Sequence, residues 1–160
     1  MKKFINIIPI ILTFIIISCT SVSTLPEHNI EKSRDFKSSK ENVWGGVIST
    51  FGDLNLPIRA LEKSSWIIQS EGIHIKSAEV IEYTTTESGC KEGIMSFTVY
   101  LKSNKDTNLT NVTVTANFSG HLVTYDILLG EEDQGWEQLV SNGVYERKIF
   151  FKLENWLKNK

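Results

Sequence analysis

Two stretches of alternating apolar and polar side chains constrain the fold of this chain more than any other feature. In residues 95–101 and in residues 112–118, every second residue is apolar. Because successive side chains of a strand point to opposite faces, this period of two predicts strands with one buried and one solvated face. Such strands are typical of antiparallel sheets. The polar residues 103–108 between them predict a hairpin loop. The apolar residues of the two stretches are Met95, Phe97, Val99, Leu101, Val112, Val114, Ala116 and Phe118.

A first helix is predicted ahead of this sheet. Ser38–Glu41 has the Ser-x-x-Glu pattern of a capping box, and apolar residues between 43 and 54 follow at helical spacing. Pro57 predicts the end of the helix. Gly45 and Gly46 each weaken a helix by about 1 kcal/mol relative to alanine. Their presence predicts that this helix packs closely against the sheet.

A last helix is predicted from Gly143 onward. Its apolar stripe runs from Tyr145 to Leu157, and Glu146 is one of the charged residues on the solvated side. Trp44 of the first helix and Trp156 of the last helix are predicted to face the sheet. The predicted fold is therefore α+β: a helix, an antiparallel sheet of about five or six strands and a C-terminal helix. This order indicates a helix-grip-like two-layer sandwich with both helices on one face of the sheet.

The remaining segments complete the predicted sheet. Residues 58–62, 66–70 and 79–85 have the composition of strands. Residues 122–129 are predicted to extend the sheet or to form a sixth strand. Residues 130–135 contain three acidic residues between two glycines, and they predict an exposed acidic loop.

The N-terminus has the pattern of an export signal. Lys2 and Lys3 precede an apolar run over residues 4–17, and the small residue Ser18 follows it. A positive start, a short apolar run and a small residue before the cleavage point are typical of a signal peptide. The run is shorter than the roughly 20 apolar residues that a membrane-spanning helix needs.

The end of this signal resembles the lipobox of bacterial lipoproteins, in the sequence Ile16-Ile17-Ser18-Cys19. The resemblance implies that Cys19 is the lipid attachment site, that cleavage follows Ser18, and that the protein is anchored to a membrane. Acyl chains contribute about 0.8 kcal/mol of membrane affinity per buried methylene. In the enterobacterial sorting pattern an aspartate after the cysteine retains a lipoprotein in the inner membrane. Thr20 therefore implies the outer membrane, with the domain facing the periplasm.

Cleavage defines the predicted domains and the charge of the mature chain. Residues 1–18 are predicted as signal peptide, 19–37 as lipid attachment site and flexible tether, and 38–160 as a single α+β domain. Removal of the two N-terminal lysines leaves 15 of the 17 basic residues beside all 19 acidic ones, a formal net charge of −4. This balance argues against nucleic acid as a partner.

A second resemblance concerns the folded domain. Residues 43–48, 54–58 and 64–68 place a Val-Trp helix, a loop and a strand in succession. They resemble the helix-grip domains of bacterial outer-membrane lipoproteins, a type known from BamC, an accessory lipoprotein of the β-barrel assembly machine. Residues 143–147 are similar to the Gly-x-x-Glu that opens the last helix in some of these proteins. The resemblance implies a helix-grip fold, a role in outer-membrane assembly or maintenance, and no catalytic residues.

The sequence contains little that indicates chemistry. His28, His74 and His121 have no carboxylate at metal-ligand spacing, so surface or strand-end positions are predicted for them. Residues 131–133 lack the alternating ligand spacing of a calcium loop. Cys90 is predicted to be a small buried side chain or a thiol in a Gly-flanked loop, rather than a redox or metal thiol. The sequence therefore predicts no catalytic residue, no metal ligand and no cofactor.

Three hypotheses of function follow. The first is a membrane-anchored binding or scaffold module that docks a protein partner of the cell envelope by a groove or an open sheet edge. The second is a carrier of a small apolar ligand in a cavity between helix and sheet. The third is an enzyme. An open, dry cavity beside the Trp44 helix would favour the carrier, and a filled core with an exposed apolar patch would favour the docking module.

Substitution of Cys19 by alanine tests the anchor. The Cys19→Ala protein should remain uncleaved or be processed differently, and it should carry no lipid, because the acceptor thiol is absent. Incorporation of labelled palmitate in growing cells measures this directly. Equal labelling of the variant and the native protein would contradict the lipobox interpretation.

Overall fold

The computed structural model describes residues 30–86, 89–104 and 109–160. In these residues seven strands form one antiparallel sheet, and three helices accompany it. The predicted α+β fold with a first and a last helix is confirmed, although the sheet has seven strands where five or six are predicted. The signal peptide, Cys19 and most of the predicted tether lie outside the described residues. The strands are β1 (Ser33–Phe36), β2 (Ile58–Glu62), β3 (Ile67–Ser70), β4 (Ile73–Lys76), β5 (Cys90–Asn104), β6 (Leu109–Asp126) and β7 (Gly130–Leu139), and the helices are α1 (Lys40–Asp53), α2 (Ser77–Tyr83) and α3 (Val144–Lys158).

The long antiparallel pair β5–β6 forms the centre of the sheet. Its register runs from Cys90 opposite Leu122 to Asn104 opposite Leu109. β3 and β4 pair with β5, and β2 lies beyond β3. β1 and β7 pair with β6, each along a different part of its length. Every other strand of the sheet is therefore held, directly or through one neighbour, by this central pair.

The alternation in β5 and β6 places one face of the sheet in the core, as predicted. All four apolar residues of residues 95–101 are buried, and three of those in residues 112–118 are buried while Ala116 is partly so. The helices cover this face. Phe97 stacks on Tyr145 of α3 with 4.7 Å between ring centroids. Burial of these large side chains contributes about 1.5–3 kcal/mol each, which makes the covered face the main source of stability.

The N-cap of helix α1 is Ser39, one residue later than the predicted cap Ser38. The Ser39 hydroxyl, and not that of Ser38, accepts a hydrogen bond from the backbone N–H of Asn42 at 3.3 Å. With Ser39 as the cap, Glu41 occupies the second helical position and forms no capping box. The helix ends at Asp53, ahead of Pro57 as predicted.

The glycines of α1 serve the contact between two helices. A Cβ atom on Gly46 would lie 2.6 Å from Leu153 Cδ1 and 2.9 Å from Trp156 Cε3, both on α3. The close neighbour of this glycine is therefore α3, and the predicted close approach to the sheet is wrong at this point. Trp156, which is predicted to face the sheet, lies across the glycine surface of α1 and is partly buried. Small residues allow helix axes to approach closely, which explains two glycines in a stable helix.

Three segments differ from their predicted structure because tertiary contacts decide them. Residues 33–36 lie in the predicted tether but form β1, where Phe36 is buried. The folded domain therefore begins before Ser38.

Residues 79–85 are predicted as a strand, but Ser77–Tyr83 forms α2. Val80 and Tyr83, three positions apart, are its buried residues, and the Glu79 carboxylate accepts a hydrogen bond from the Lys76 N–H at 2.9 Å.

Residues 130–135 are predicted as an acidic loop, and this prediction is also wrong. They form the first part of β7, which pairs with the end of β6. Gln134 is the extra residue of a bulge, because Leu122 pairs with Gly135 while Val123 pairs with Asp133. Gly135 has a φ of 80°, the left-handed conformation that a glycine at a bulge supplies readily.

Glu146 is the one charged residue of α3 whose predicted exposure is wrong. Its relative exposure is 1 %, and its carboxylate accepts a hydrogen bond from the Ser141 hydroxyl at 2.9 Å. It lies in the first turn of α3, where the helix dipole favours a negative charge. Leu139 and Val140 of the preceding segment line the same small cavity as Glu146. The chain that leads into the helix covers a position that helical periodicity alone assigns to solvent.

Trp44 is the side chain whose removal tests this core. It is 9 % exposed and contacts the edge of Trp66, with 5.6 Å between ring centroids. Trp44→Ala should lower the free energy of unfolding by about 3–5 kcal/mol, because it removes a large buried ring. Thermal melts measure the shift, with Trp136→Ala as the control, since Trp136 is 47 % exposed and should matter little. An unshifted midpoint for Trp44→Ala would contradict the core assignment.

Candidate docking surface

The histidines and Cys90 of the sequence analysis do not come together in the structure. His28 lies outside the described residues, His74 is exposed on β4, and His121 lies on β6. Among residues 30–86, 89–104 and 109–160, no three histidine, cysteine, aspartate or glutamate side chains are grouped so as to hold a metal ion.

Cys90 behaves as the predicted small buried side chain. It begins β5 with a relative exposure of 6 %, and its thiol donates a hydrogen bond to the carbonyl of Glu92 at 3.1 Å. Burial raises the pKa of the Cys90 thiol, so less of the reactive thiolate forms at neutral pH. The prediction of a small buried side chain is therefore confirmed for Cys90, which belongs to the core.

The most unusual surface of the described chain is the far end of the β6–β7 hairpin. Beyond Leu122, β6 no longer pairs with β5, and β7 is the strand that continues beside it. The turn consists of Ile127, Leu128 and Leu129, which we call the apolar tip. Their relative exposures are 101 %, 91 % and 87 %.

The geometry of the turn does not favour apolar residues at these three positions. Hairpin turns favour glycine, asparagine, aspartate, serine and proline, because those residues adopt or stabilise the turn geometry. Single exposed apolar residues are ordinary on protein surfaces, but contiguous exposed apolar side chains mark interaction sites. Burial of apolar surface is favourable by about 25 cal/mol per Å², so the apolar tip gains free energy when another molecule covers it.

The strands below the apolar tip carry negative charge. Glu131 forms an ion pair with Lys91 of β5. Glu132 and Glu137 are exposed on β7. Asp133 Oδ1 lies 2.7 Å from His121 Nε2 and accepts a hydrogen bond from the Gly135 N–H at 2.8 Å. The hydrogen bond with His121 and then that from Gly135 hold the pKa of the Asp133 carboxyl below its usual range, so Asp133 stays charged.

An aromatic pair lies beside these carboxylates. Trp136 stacks on His121 with 5.6 Å between ring centroids and 15° between the ring planes. The stack fixes the orientation of an indole that is 47 % exposed. Aromatic side chains that are partly exposed and held in place are common binding anchors.

The sequence does not predict this surface, because its two parts have the patterns of different elements. Residues 127–129 lie within a predicted strand, and residues 130–135 form a predicted loop. The pairing of His121 with Asp133 joins residues 12 positions apart and depends on the hairpin register. One signal was present: an apolar triplet lies directly before Gly130, at the position of a turn.

The interior beside the Trp44 helix is filled with side chains. Val43, Val47 and Phe51 of α1 are fully buried, and so are Ile68, Phe97 and Val99 on the facing strands. Two surface depressions lie elsewhere. A groove of about 520 Å³ is lined by Arg34, Phe36, Glu154 and Leu157, and a cavity of about 150 Å³ reaches Glu146. Arg34 is already compensated by Glu31 at 2.5 Å and by Glu154 at 3.5 Å.

Comparisons with known proteins do not assign the chain to a family. No protein-family model matches the chain, and no curated protein matches it significantly. Within the described residues, no helix combines the length and the apolar character needed to cross a bilayer.

Polar substitution of the apolar tip should leave the fold intact. We expect Ile127→Ser, Leu128→Ser and Leu129→Ser each to change the free energy of unfolding by less than about 0.5 kcal/mol, because the side chains are exposed. Denaturant titration measures this, and Val123→Ser is the matched control, since Val123 lies on the same hairpin but is 5 % exposed. The control should lose about 1–3 kcal/mol. A comparable loss in the tip variants would show that the apolar tip has a structural role.

Proposed function

We propose that the protein is a membrane-anchored lipoprotein that acts as a non-catalytic binding or scaffold module at the cell envelope. The lipid on Cys19 holds it to the membrane, and the domain faces the periplasm, with the outer membrane as the expected location. The observation that carries the binding role is the exposure of Ile127, Leu128 and Leu129 at the apolar tip. A role in outer-membrane assembly or maintenance is consistent with such a module.

The carrier hypothesis receives less support. A carrier needs a dry cavity large enough for its ligand, commonly about 300–1,000 Å³. The space between α1 and the sheet is instead occupied by the fully buried Val47, Phe51 and Phe97. The groove of about 520 Å³ lies outside this space and has charged walls, including Arg34 and Glu154. A filled core together with an exposed apolar patch is the combination expected of a docking module.

The apolar tip suits a protein partner better than a bilayer. Glu132 and Asp133 follow Leu129 by three and four residues, so insertion of the tip draws carboxylates toward the lipid interface. Charged residues are costly in the apolar part of a membrane, and carboxylates are repelled by anionic lipids. A protein cleft can instead cover the three apolar side chains and present cations to the carboxylates.

Affinity purification of the lipidated protein from its native membranes tests the proposal. A variant with Ile127→Ser, Leu128→Ser and Leu129→Ser together should lose a partner that the native protein retains. Leu61→Ser is the control, because Leu61 is 51 % exposed on β2, away from the hairpin. Retention of the same partners by all three proteins would overturn docking through the apolar tip.

A second arm separates protein from lipid. A protein that begins at Thr20 is mixed with vesicles of phosphatidylethanolamine and phosphatidylglycerol and sedimented. It should stay in solution, because it lacks both the apolar signal segment and the lipid anchor and its tip is flanked by carboxylates. Sedimentation that depends on Ile127–Leu129 would contradict the protein-partner proposal and assign the apolar tip to the membrane.

A further inference from the structure

We propose that the outer edge of β7 over Gly135–Leu139 accepts an extended, basic segment of the partner as an additional strand. This inference rests on the proposed docking function and names the chemistry of the partner at the same hairpin. We call Gly135–Leu139 the acceptor edge. The incoming segment would form backbone hydrogen bonds with this edge, while its cations face the carboxylates of the hairpin.

The position of β7 at the sheet margin provides the backbone groups. β7 pairs with β6 along one side, and no strand of the described chain pairs with its other side. Eight of its ten residues are exposed, and the pairing with Thr84 and Thr85 begins only at Val140 and Ser141, after the end of β7. A strand at a sheet margin presents backbone N–H and C=O groups that can pair with another chain. Peptide recognition by strand addition uses such an edge.

The acceptor edge is the best supported part of β7. Its partners Phe118–Leu122 on β6 are themselves paired with β5 on their other side. The bulge at Gln134 separates this stretch from the more distant residues 130–133. A strand added at Gly135–Leu139 therefore extends a rigid sheet in regular register, which lowers the conformational entropy cost of binding.

The charges near the acceptor edge select its partner. Glu137 lies within it, and Glu132 and Asp133 lie directly beyond the bulge. A second copy of this chain paired edge to edge would bring carboxylates against carboxylates, which is unfavourable, so the same charges disfavour self-association. A segment with lysine or arginine at alternate positions places cations opposite these groups and is attracted from a distance.

Trp136 adds an apolar contact in the middle of the acceptor edge. Its indole is stacked on His121 and remains 47 % exposed. In a strand pair, side chains directly opposite each other lie about 4.5–5.5 Å apart. Because neighbouring residues of a strand point to opposite faces, lysines or arginines that face Glu137 leave the intervening apolar residues of the segment on the face of Trp136, where they can contact the indole.

The opposite margin of the sheet lacks this combination. β2 has five residues, and its pairing with β3 is interrupted between Ile58 and Ala60. Short, irregular edge strands are a common protection against pairing with other chains. β2 carries Arg59 as well as Glu62, so it lacks the unbalanced negative charge of β7. The prediction is therefore specific to the β7 side.

Defined peptides test the proposal on the detergent-solubilised lipidated protein. The probe is an acetylated peptide of alternating lysine and valine, and its control has methyl groups on the alternate backbone nitrogens that would face β7. We expect the first peptide to bind and to slow amide hydrogen exchange at Trp136–Leu139 by about tenfold or more. The methylated peptide keeps its charges but should not bind, because it lacks the backbone donors.

Protein variants test the charge requirement. Glu132→Gln with Glu137→Gln should weaken peptide binding by about tenfold at low salt, the lower range of electrostatic effects on association. Glu62→Gln with Glu71→Gln removes the same charge from the β2 side of the sheet and should leave binding unchanged. Equal binding of the methylated and unmethylated peptides would overturn strand addition, as would no binding of either. If the apolar tip still retains a native partner in that case, the docking function stands and only this inference fails.

Discussion

The antiparallel pairing of β5 with β6 is the interaction on which the rest of the structure depends. Its register places Val99 beside Val114 and Leu101 beside Val112, which creates the apolar face that α1 and α3 cover. A slip of one residue would turn that entire face to solvent. The same register decides where β1, β3, β4 and β7 attach, because each pairs with a particular part of β5 or β6. The pairing of β5 with β6 thus determines both the buried core and the positions of the strands at the sheet edges.

The docking surface follows from the unequal lengths of these two strands. β6 continues to Asp126, but its pairing with β5 ends at Leu122, which lies opposite Cys90. Residues 123–126 of β6 therefore extend beyond β5 and pair only with β7. Apart from the buried Val123, residues there contribute little to the core, so their composition is less constrained by folding. That freedom accounts for an apolar turn and for exposed carboxylates on both sides of Trp136. The interior beneath α1 is filled with side chains, so the proposed docking function is assigned to the outside of the molecule.

The sequence predicts the fold wherever local periodicity and burial agree. The alternation in residues 95–101 and 112–118, the stripes of α1 and α3, and the strands at 58–62 and 67–70 are of this kind. Prediction fails where contacts with distant residues decide the secondary structure. In β1, one buried residue, Phe36, is too weak a pattern to predict a strand. In α2, the short apolar repeat fits a strand as well as a helix. β7 is the clearest case, because glycine and acidic residues are poor strand formers and only pairing with β6 orders them. Cys19 and the anchor are predicted from sequence alone, while the docking surface depends on a register that the sequence does not display.

Native-state amide hydrogen exchange on the free protein tests the central claim that the β6–β7 hairpin end serves binding and not folding. Amides of residues 97–101 and 112–118 should exchange only through global unfolding, because they lie in the buried centre of the sheet. Amides of residues 130–133 should exchange much faster through local opening, since their partners on β6 lie beyond the pairing with β5. Exchange at residues 130–133 as slow as at the centre of β5 and β6 would contradict the account, because it would make the hairpin end part of the cooperative core.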